Sequence, residues 1–296
     1  MIKPEIIDAG VKNGKQFVAL RGVGNFSVFK TFDCGQCFRF DPSSDLQNGY
    51  EVSGVAFGRH VSFKQENNKV IISGATEKEY HDTWERYLSL DSDYDEIDNM
   101  ITHALDEAGN SVMARAADVS RGIRLLRQDS WEALCSFIIS QNNNIPRIKK
   151  IISALCVKFG EKLSDGEYAF PTAEALAAAG EDEIFALKTG FRASYIVDAA
   201  RKVSSGEIDL NKVKNEASFD KCMEELMKIR GVGPKVASCA LLFGFDKTEA
   251  YPIDTWMKKV AARHFESGPD PTKFGKYAGI AQQYLFYMER YINGGK

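Results

Sequence analysis

The chain has 296 residues, of which 44% are hydrophobic and 27% are charged, and its formal net charge is −3. These values are ordinary for a soluble globular protein of two or three compact units, and they argue against wholesale disorder. The net charge argues against a uniformly cationic surface for nucleic acid, and no apolar run approaches the roughly 20 residues that span a bilayer. The first residues contain no apolar core of a secretory signal, so we expect a soluble intracellular protein.

The first third of the chain is rich in short β-prone runs. Strands are predicted at residues 52–57, 61–63 and 70–72. A hairpin turn is predicted at 66–68, and a helix with aromatic residues at helical spacing follows from Tyr80 to Leu88. This pattern indicates an N-terminal α/β domain with an antiparallel sheet, which we place at residues 1–112.

From about residue 115 the apolar pattern is almost wholly helical. Asp129 and Glu132 form a helix start that resembles a capping box, and the apolar stripe that follows stops at the loop-forming cluster 141–144. Further helices are predicted from residue 146, from residue 219 and over residues 277–288. The predicted fold class is therefore α+β, with a mostly α-helical body of two helical subdomains at 113–296.

The most informative segment is 226–237, where an apolar helix ends at Gly231-Val-Gly233 and a second helix begins at Pro234. This pattern is typical of a helix-hairpin-helix motif, here spanning about 219–244. The two glycines leave the amides of the turn bare, so a DNA phosphate can approach the backbone closely. Such a contact does not depend on the base sequence of the DNA. The alternative is a plain connection between two helices that ends in a glycine cap.

Two residues at helix starts indicate chemistry. Lys235 stands in the first turn of the second hairpin helix, where the positive end of the helix dipole disfavours an ammonium group. Schiff-base chemistry requires a neutral amine, because only that form is nucleophilic. Asp254, in Tyr-Pro-Ile-Asp254, is predicted to cap a helix, a position that keeps a carboxylate ionised. The alternatives are a solvated or phosphate-pairing lysine and an aspartate that only caps its helix.

The six cysteines are scattered along the chain, and one CxxC motif, at Cys34 and Cys37, has no second pair of metal ligands beside it. The other four lie in apolar helical patterns, where buried free thiols are common. Zinc or thioredoxin chemistry is the alternative for the CxxC motif. A C-terminal cysteine cluster typical of an iron–sulfur site is missing from the sequence. We expect neither a metal nor a cofactor to take part in the chemistry.

Together the hairpin, Lys235 and the Pro-x-Asp254 segment resemble the helix-hairpin-helix/Gly-Pro-Asp superfamily of DNA glycosylases. In that superfamily a lysine at this hairpin position marks members that also cleave the strand by β-elimination. The match extends beyond the hairpin to the segments 33–39, 122–129, 140–147, 189–195 and 278–286. Over nearly its whole length the chain is similar to the 8-oxoguanine DNA glycosylase family. The resemblance implies a monomeric glycosylase and β-lyase that excises 8-oxoguanine, preferentially opposite cytosine, from duplex DNA in base excision repair. It would act in the cytoplasm or nucleoid of a prokaryote or in the nucleus of a eukaryote.

The resemblance also implies which residues hold the DNA. Asn142 would fill the space left by the everted base, and Arg147 would donate hydrogen bonds to the unpaired cytosine. Phe191 would be an aromatic wedge, followed by a second cytosine-reading arginine, Arg192. Phosphate contact is the alternative for both arginines. The family's usual phosphate-contacting histidine, two residues after the aspartate, is replaced here by Trp256.

Four further residues are implied to form the base pocket. The carbonyl of Gly35 would accept a hydrogen bond from N7–H of 8-oxoguanine, a donor that guanine lacks. Gln282 would bond the Watson–Crick edge, and Phe286, one helical turn later, would stack on the base. Cys239 would cover the opposite face of the base. Ordinary core packing is the alternative for Cys239 and Phe286.

Two other classes of protein share parts of this pattern. One is another glycosylase of the superfamily, for alkylated or mismatched bases, and the other is a non-catalytic helix-hairpin-helix DNA-binding module. An alkylation glycosylase would lack the hairpin lysine, and an iron–sulfur member would contain a cysteine cluster. A binding module would not need Lys235 and Asp254 beside a base pocket. These differences favour 8-oxoguanine as the substrate.

Overall fold

The computed structural model describes residues 4–43, 49–265 and 268–293. Its strands are β1 Glu5–Lys12, β2 Lys15–Arg21, β3 Phe40–Pro42, β4 Tyr50–Ala56, β5 Arg59–Glu66 and β6 Lys69–Ser73. They form one six-stranded sheet in the order β1-β2-β6-β5-β4-β3. Every neighbouring pair is antiparallel, as the sequence predicted.

The remaining described residues are mostly helical. The α-helices are α1 Val28–Asp33, α2 Glu77–Glu79, α3 Glu85–Tyr87, α4 Tyr94–Thr102, α5 Glu107–Ser120, α6 Ser130–Ser140, α7 Ile145–Phe159, α8 Ala173–Ile184, α9 Arg192–Ser204, α10 Leu210–Asn215, α11 Phe219–Met227, α12 Pro234–Gly244, α13 Thr255–His264 and α14 Ala278–Tyr287. Turns of π-helix cover Tyr80–Trp84, Phe185–Thr189 and Met288–Asn293, and a 3-10 segment covers Pro271–Tyr277. The α+β fold class, with a sheet followed by a helical body, is confirmed. No described helix combines the length and the apolar character that a membrane crossing requires.

The predicted strands correspond to β4, β5 and β6, and the predicted turn between β5 and β6 is confirmed. Asn67 has a φ of +51° in that turn, a conformation that asparagine tolerates better than most residues. The sequence did not single out β1, because nearly all its side chains are exposed and it therefore lacks an apolar alternation. The helix predicted from Tyr80 starts earlier, at Glu77, and passes through a π-helical turn at Tyr80–Trp84 before it ends with α3. Its aromatic side chains pack under the sheet.

The start of α6 corrects one detail of the prediction. Asp129 caps the helix as expected, because its carboxylate accepts a hydrogen bond from the N–H of Glu132 at 2.9 Å. The carboxylate of Glu132, however, pairs with Arg39 at 3.2 Å. Since a capping box requires the glutamate to bond back to the cap, only half of that motif is present.

Two hydrophobic clusters divide the core. One lies under the sheet and contains Phe63 and Trp84. The other fills the helical body and already includes Tyr94 of α4, on the N-terminal side of the predicted domain boundary. Residues 112 and 113 lie inside α5, whose buried face packs into the helical cluster. The division of the chain at this point stays a prediction.

Candidate active site

A cavity of about 380 Å³ opens between the loop after α1, the start of α7, the hairpin helix α12, the start of α13 and the wall formed by α14. Its lining includes both predicted catalytic residues and all four predicted base-pocket residues, namely Gly35, Lys235, Cys239, Asp254, Gln282 and Phe286. A wider groove of about 770 Å³ lies over the sheet, but none of the predicted site residues lines it.

Lys235 is the second residue of α12 and is half-buried at the wall of the cavity. Its Nζ lies 5.9 Å from the ring centroid of Phe137. Cys239 lies one helical turn further along and is buried. Burial raises the pKa of the Cys239 thiol to about 11, although the neighbouring Lys235 opposes this shift. The thiol therefore stays protonated at neutral pH, a form that is a poor nucleophile.

Asp254 caps α13, as predicted. Its Oδ1 accepts hydrogen bonds from the backbone N–H groups of Trp256 and Met257, each at 2.9 Å. Within the described part of the chain, its second carboxylate oxygen has no hydrogen bond, and no salt bridge joins it to Lys235 although both side chains line the cavity. The backbone thus fixes one oxygen of the carboxylate and leaves the other open to a ligand in the cavity.

Gly35 has a φ of +80°, in the left-handed region that favours glycine. A Cβ at this position would lie 2.9 Å from Nη1 of Arg290 and 3.5 Å from Cδ1 of Ile145. Any other residue would therefore strain the backbone and crowd the cavity wall. The absence of a side chain lets the Arg290 guanidinium approach the backbone of Gly35 at the cavity wall. The hydrogen bond from a ligand to the Gly35 carbonyl stays a prediction.

Two glutamines that the sequence analysis missed hold the Gly35 loop in place. The amide of Gln283 donates a hydrogen bond to the carbonyl of Cys34 at 3.0 Å. The fully buried Gln36 donates to the carbonyl of Arg124 at 2.8 Å and accepts from the N–H of Leu126 at 2.9 Å. A signal for Gln36 was present in the sequence, since this polar residue stands between Cys34 and Cys37-Phe38 in a mostly apolar stretch. For Gln283 no local signal exists.

Gln282 brings a buried hydrogen-bond acceptor to the cavity. The residue is only 4% exposed, and its Oε1 is buried without a hydrogen-bond partner in the described structure. An unsatisfied buried acceptor costs about 1–3 kcal/mol, a cost that a ligand with an N–H donor would remove. Phe286 lies four residues later with its ring half-buried at the cavity. The two side chains therefore offer an acceptor and a stacking face to one ligand.

The four residues predicted to contact the duplex around the everted base lie together outside the cavity. Asn142 is exposed and has a φ of +46°, and Arg147 is exposed, with one long hydrogen bond of 3.4 Å to the carbonyl of Lys188. The ring of Phe191 is 51% exposed, as a wedge requires, and its centroid lies 4.3 Å from the guanidinium carbon of Arg192.

Arg192 differs from the other three because it is buried, at 3% exposure. Its guanidinium donates hydrogen bonds to the backbone carbonyls of Gln141, Asn142 and Thr189. Burial lowers the pKa of Arg192, and the nearby positive charge of Arg147 lowers it further. In this structure Arg192 therefore holds the loop that carries Asn142, which leaves fewer donors for a base than Arg147 has.

The helix-hairpin-helix is confirmed, with α11 and α12 occupying the predicted range. Gly231 has a φ of +75°, and a Cβ there would lie only 2.2 Å from the Tyr195 ring. The backbone N–H of Arg230 donates to the Asp198 carboxylate at 2.7 Å. The ring centroids of Tyr195 and Phe191 lie 5.7 Å apart. The hairpin turn is thus packed against α9, next to the predicted wedge.

Gly231→Ala is expected to destabilise the protein by about 2 kcal/mol or more, because it combines a positive φ with a clash against an aromatic ring. Gly233→Ala is the matched control, since a Cβ at Gly233 would meet nothing within 4 Å and its φ is −95°. Thermal unfolding of the two variants measures the difference. Equal melting temperatures would contradict the packing of this turn.

The two cysteines of the CxxC motif are packed in the core of the protein. Cys34 and Cys37 are both free and buried, but they belong to different hydrophobic clusters. Burial raises the pKa of Cys34 to about 12 and raises that of Cys37 as well. Both thiols therefore stay protonated and unreactive at neutral pH.

Trp256, the residue that departs from the resembled family, lines the cavity. The centroid of its ring lies 4.0 Å from Nζ of Lys259.

Comparisons with known proteins agree with this geometry. Two family models match the chain: the N-terminal domain of 8-oxoguanine DNA glycosylase over residues 20–134, and the HhH-GPD superfamily of base excision DNA repair proteins over residues 135–276. The solved structure of MBOgg1 in complex with a low affinity DNA ligand superposes with a TM-score of 0.88 at 37% identity, covering 98% of this chain and 99% of that one.

Another similar structure is the Clostridium acetobutylicum 8-oxoguanine glycosylase/lyase in complex with double-stranded DNA that contains cytosine opposite 8-oxoguanine. It has a TM-score of 0.87 and 37% identity, and covers 97% of this chain and 99% of that chain. The N-glycosylase/DNA lyase of Saccharomyces cerevisiae is 35% identical over 188 residues, which are 58% of this chain and 50% of that relative. The chain thus spans about half the length of the yeast protein, whereas it matches the two solved structures almost completely. The chain belongs to the 8-oxoguanine DNA glycosylase family of the HhH-GPD superfamily.

Proposed function

We propose that the protein is a bifunctional DNA glycosylase and β-lyase that excises 8-oxoguanine, preferentially opposite cytosine, from duplex DNA. The observation that carries the proposal is a single cavity onto which an amine, a carboxylate and an unpartnered buried acceptor all open, at Lys235, Asp254 and Gln282. A catalytic monomer suffices for this chemistry, because every one of these groups comes from one chain. The activities named for the yeast relative and the clostridial structure support the same proposal.

The cavity suits an everted purine. Its volume of about 380 Å³ lies in the range of pockets that enclose small ligands. Phe286 and Cys239 would flank the two faces of the base, and Oε1 of Gln282 would accept a hydrogen bond from the N–H groups of its Watson–Crick edge. The Gly35 carbonyl would accept from N7–H, which 8-oxoguanine has and guanine lacks. Eversion is required because the reacting atoms are inaccessible inside the duplex.

The proposed reaction begins when the neutral amine of Lys235 attacks C1′ of the damaged nucleotide. The bond from C1′ to the base breaks, and the base leaves with the bonding electron pair and takes up a proton. The ionised Asp254 stabilises the positive charge that develops on the sugar. The sugar ring then opens to give a Schiff base between C1′ and the lysine. Loss of a proton from C2′ expels the 3′ phosphate and nicks the strand.

Outside the cavity, Asn142 and Phe191 would occupy the space that the everted base leaves in the duplex, and this offsets part of the stacking energy that is lost. Arg147 and the one remaining N–H of Arg192 would bond the acceptor atoms of the unpaired cytosine. The bare amides of the hairpin turn at Gly231 and Gly233 would hold a backbone phosphate.

The test of this function is borohydride trapping on two duplexes that differ only in one base. An 8-oxoguanine:cytosine duplex should give a covalent protein–DNA adduct, because borohydride reduces the Schiff base, whereas a guanine:cytosine duplex should give none. Binding of the lesion duplex with neither excision nor adduct would indicate a non-catalytic binding module. Excision of 3-methyladenine in preference to 8-oxoguanine would indicate an alkylation glycosylase.

Arg147→Ala is expected to reduce the preference for cytosine over adenine opposite the lesion by roughly tenfold, because each lost base-reading pair is worth about 1–3 kcal/mol. Arg147→Lys keeps the charge but loses the planar fork of donors, so it should lose the preference too while binding DNA normally. Excision rates on duplexes with each opposite base measure the effect. If Arg147→Lys keeps the preference, the residue contacts phosphate instead.

A further inference from the structure

Arg290 lines the cavity but has no part in the proposed reaction. It lies in the π-helical turn that follows α14, and Gln282, Phe286 and Arg290 recur at intervals of four residues along this wall. Its guanidinium carbon lies 5.7 Å from the ring centroid of Phe286 and 5.1 Å from that of Tyr291. The side chain is thus held between two aromatic rings.

The guanidinium has unused donors. Among the residues that the structure describes, none forms a hydrogen bond or a salt bridge with Arg290, although the residue is half-buried. Its Nη1 lies 2.9 Å from the point where a Cβ of Gly35 would be, so it stands directly against the bare backbone of the Gly35 loop. The carboxylate of Asp33 lies nearby: burial raises the pKa of Asp33, and the positive charge of Arg290 opposes this shift. No hydrogen bond is formed between these two described side chains, so the donors of the guanidinium remain available to a ligand. Gln282 supplies the matching observation, a buried acceptor that also has no partner.

Gln282 and Arg290 stand on either side of Phe286 along the chain, and all three residues line the cavity. Gln282 and Arg290 are two helical turns apart, which is roughly 12 Å along a helix axis, and the Phe286 ring lies between them in the sequence. A planar heterocycle on that ring would meet an acceptor at one end and a donor at the other. The ligand therefore needs N–H groups on one edge and an exocyclic oxygen at the far end.

We infer that Arg290 is a specificity-determining residue that donates a hydrogen bond to O8 of the everted 8-oxoguanine. This inference rests on the proposed function. With Gln282 at the N–H groups of the six-membered ring, the opposite end of the purine is C8, which bears an oxygen in the lesion and a hydrogen in guanine. Arg290 then recognises the oxygen, while the Gly35 carbonyl recognises the neighbouring N–H. The two contacts read the two atoms that distinguish the damaged base.

The experiment compares Arg290→Leu with the wild type on two DNA substrates under single-turnover conditions with saturating enzyme. On an 8-oxoguanine:cytosine duplex the variant should excise about ten- to a hundredfold more slowly, as expected for a lost hydrogen bond to a charged group. On a duplex with a preformed abasic site, which has no base to contact, strand cleavage and affinity should stay within about twofold of the wild type. Arg290→Lys, which keeps a donor, should recover part of the excision rate.

Three outcomes would overturn the inference: an unchanged excision rate in Arg290→Leu, an equal loss of abasic-site cleavage and affinity, or no recovery in Arg290→Lys. The second would indicate a phosphate contact. Lys276→Leu serves as the charge control, since this exposed lysine precedes α14 and is not part of the cavity lining; it should excise normally. If the wild type itself fails to excise 8-oxoguanine, the proposed function fails before Arg290 is tested.

Discussion

Lys235→Gln is expected to abolish both base excision and borohydride trapping while duplex binding persists. The glutamine side chain has a similar length and polarity but no nucleophilic amine, and the thiol of Cys239 beside it stays protonated at neutral pH. Loss of a covalent nucleophile typically costs roughly 10⁴-fold or more in rate. Single-turnover excision, adduct formation on gels and affinity for a lesion duplex measure the three properties separately.

The matched control for this variant is Lys228→Gln, in the same hairpin. Lys228 pairs with Glu225 at 2.6 Å on the surface, outside the cavity. It should therefore keep both excision and adduct formation although it carries the same lysine-to-glutamine change. Excision in Lys235→Gln without an adduct would show that water attacks C1′ and that Lys235 acts only in strand cleavage. An adduct in that variant would show that another amine is the nucleophile.

The parts of the site that lie at helix ends could be predicted from sequence. Glycine and proline mark the hairpin turn, because few other residues adopt its backbone or begin a helix there, and α12 does begin at Pro234. Asp254 could be identified as a helix cap for a similar reason, since the capping preference is local. Periodicity then placed Gln282 and Phe286 on one helix face. In each case a short stretch of chain contains all the information.

The contacts that assemble these pieces could not be predicted from local pattern. The Gly35 loop is held by Gln283, a residue 249 positions away, and periodicity carries no information about such a pairing. Arg290 comes next to Gly35 only because α14 packs beside the loop. The burial of Arg192 depends likewise on carbonyls from a different loop, at Gln141 and Asn142. These roles depend on contacts between residues that are far apart in the sequence, and such contacts cannot be predicted from the local pattern of one sequence.

The roles of Cys239 and Phe286 could be predicted only from the resemblance to a known family. From the residues alone, Cys239 and Phe286 were as compatible with core packing as with a pocket, and the structure shows why. Cys239 is buried in the helical cluster and lines the cavity as well. One side chain can therefore pack in the core and line a pocket at the same time. Only the cavity seen in the structure shows that Cys239 does both.

Asp254→Asn is expected to slow excision by roughly 10²–10³-fold with little change in stability. Asparagine keeps an oxygen that can accept the two cap hydrogen bonds, now made to Trp256 and Met257 at 2.9 Å, and it is as good a helix cap as aspartate. It removes the negative charge that would stabilise the cationic sugar, and the loss of one such electrostatic contact costs about 3–4 kcal/mol in the transition state. Single-turnover excision and thermal unfolding measure the two effects.

Asp254→Ala separates the two roles of this carboxylate. It removes the charge and the cap together, so it should lose about as much activity as Asp254→Asn and, in addition, about 0.5–2 kcal/mol of stability. Cleavage at a preformed abasic site is the internal control, because no bond to a base remains to be broken and the charge at Asp254 matters less there. Wild-type excision by Asp254→Asn would mean that the aspartate only caps α13. If Asp254→Asn loses as much stability as Asp254→Ala, its slower excision would be explained by the lost helix cap and not by the lost charge.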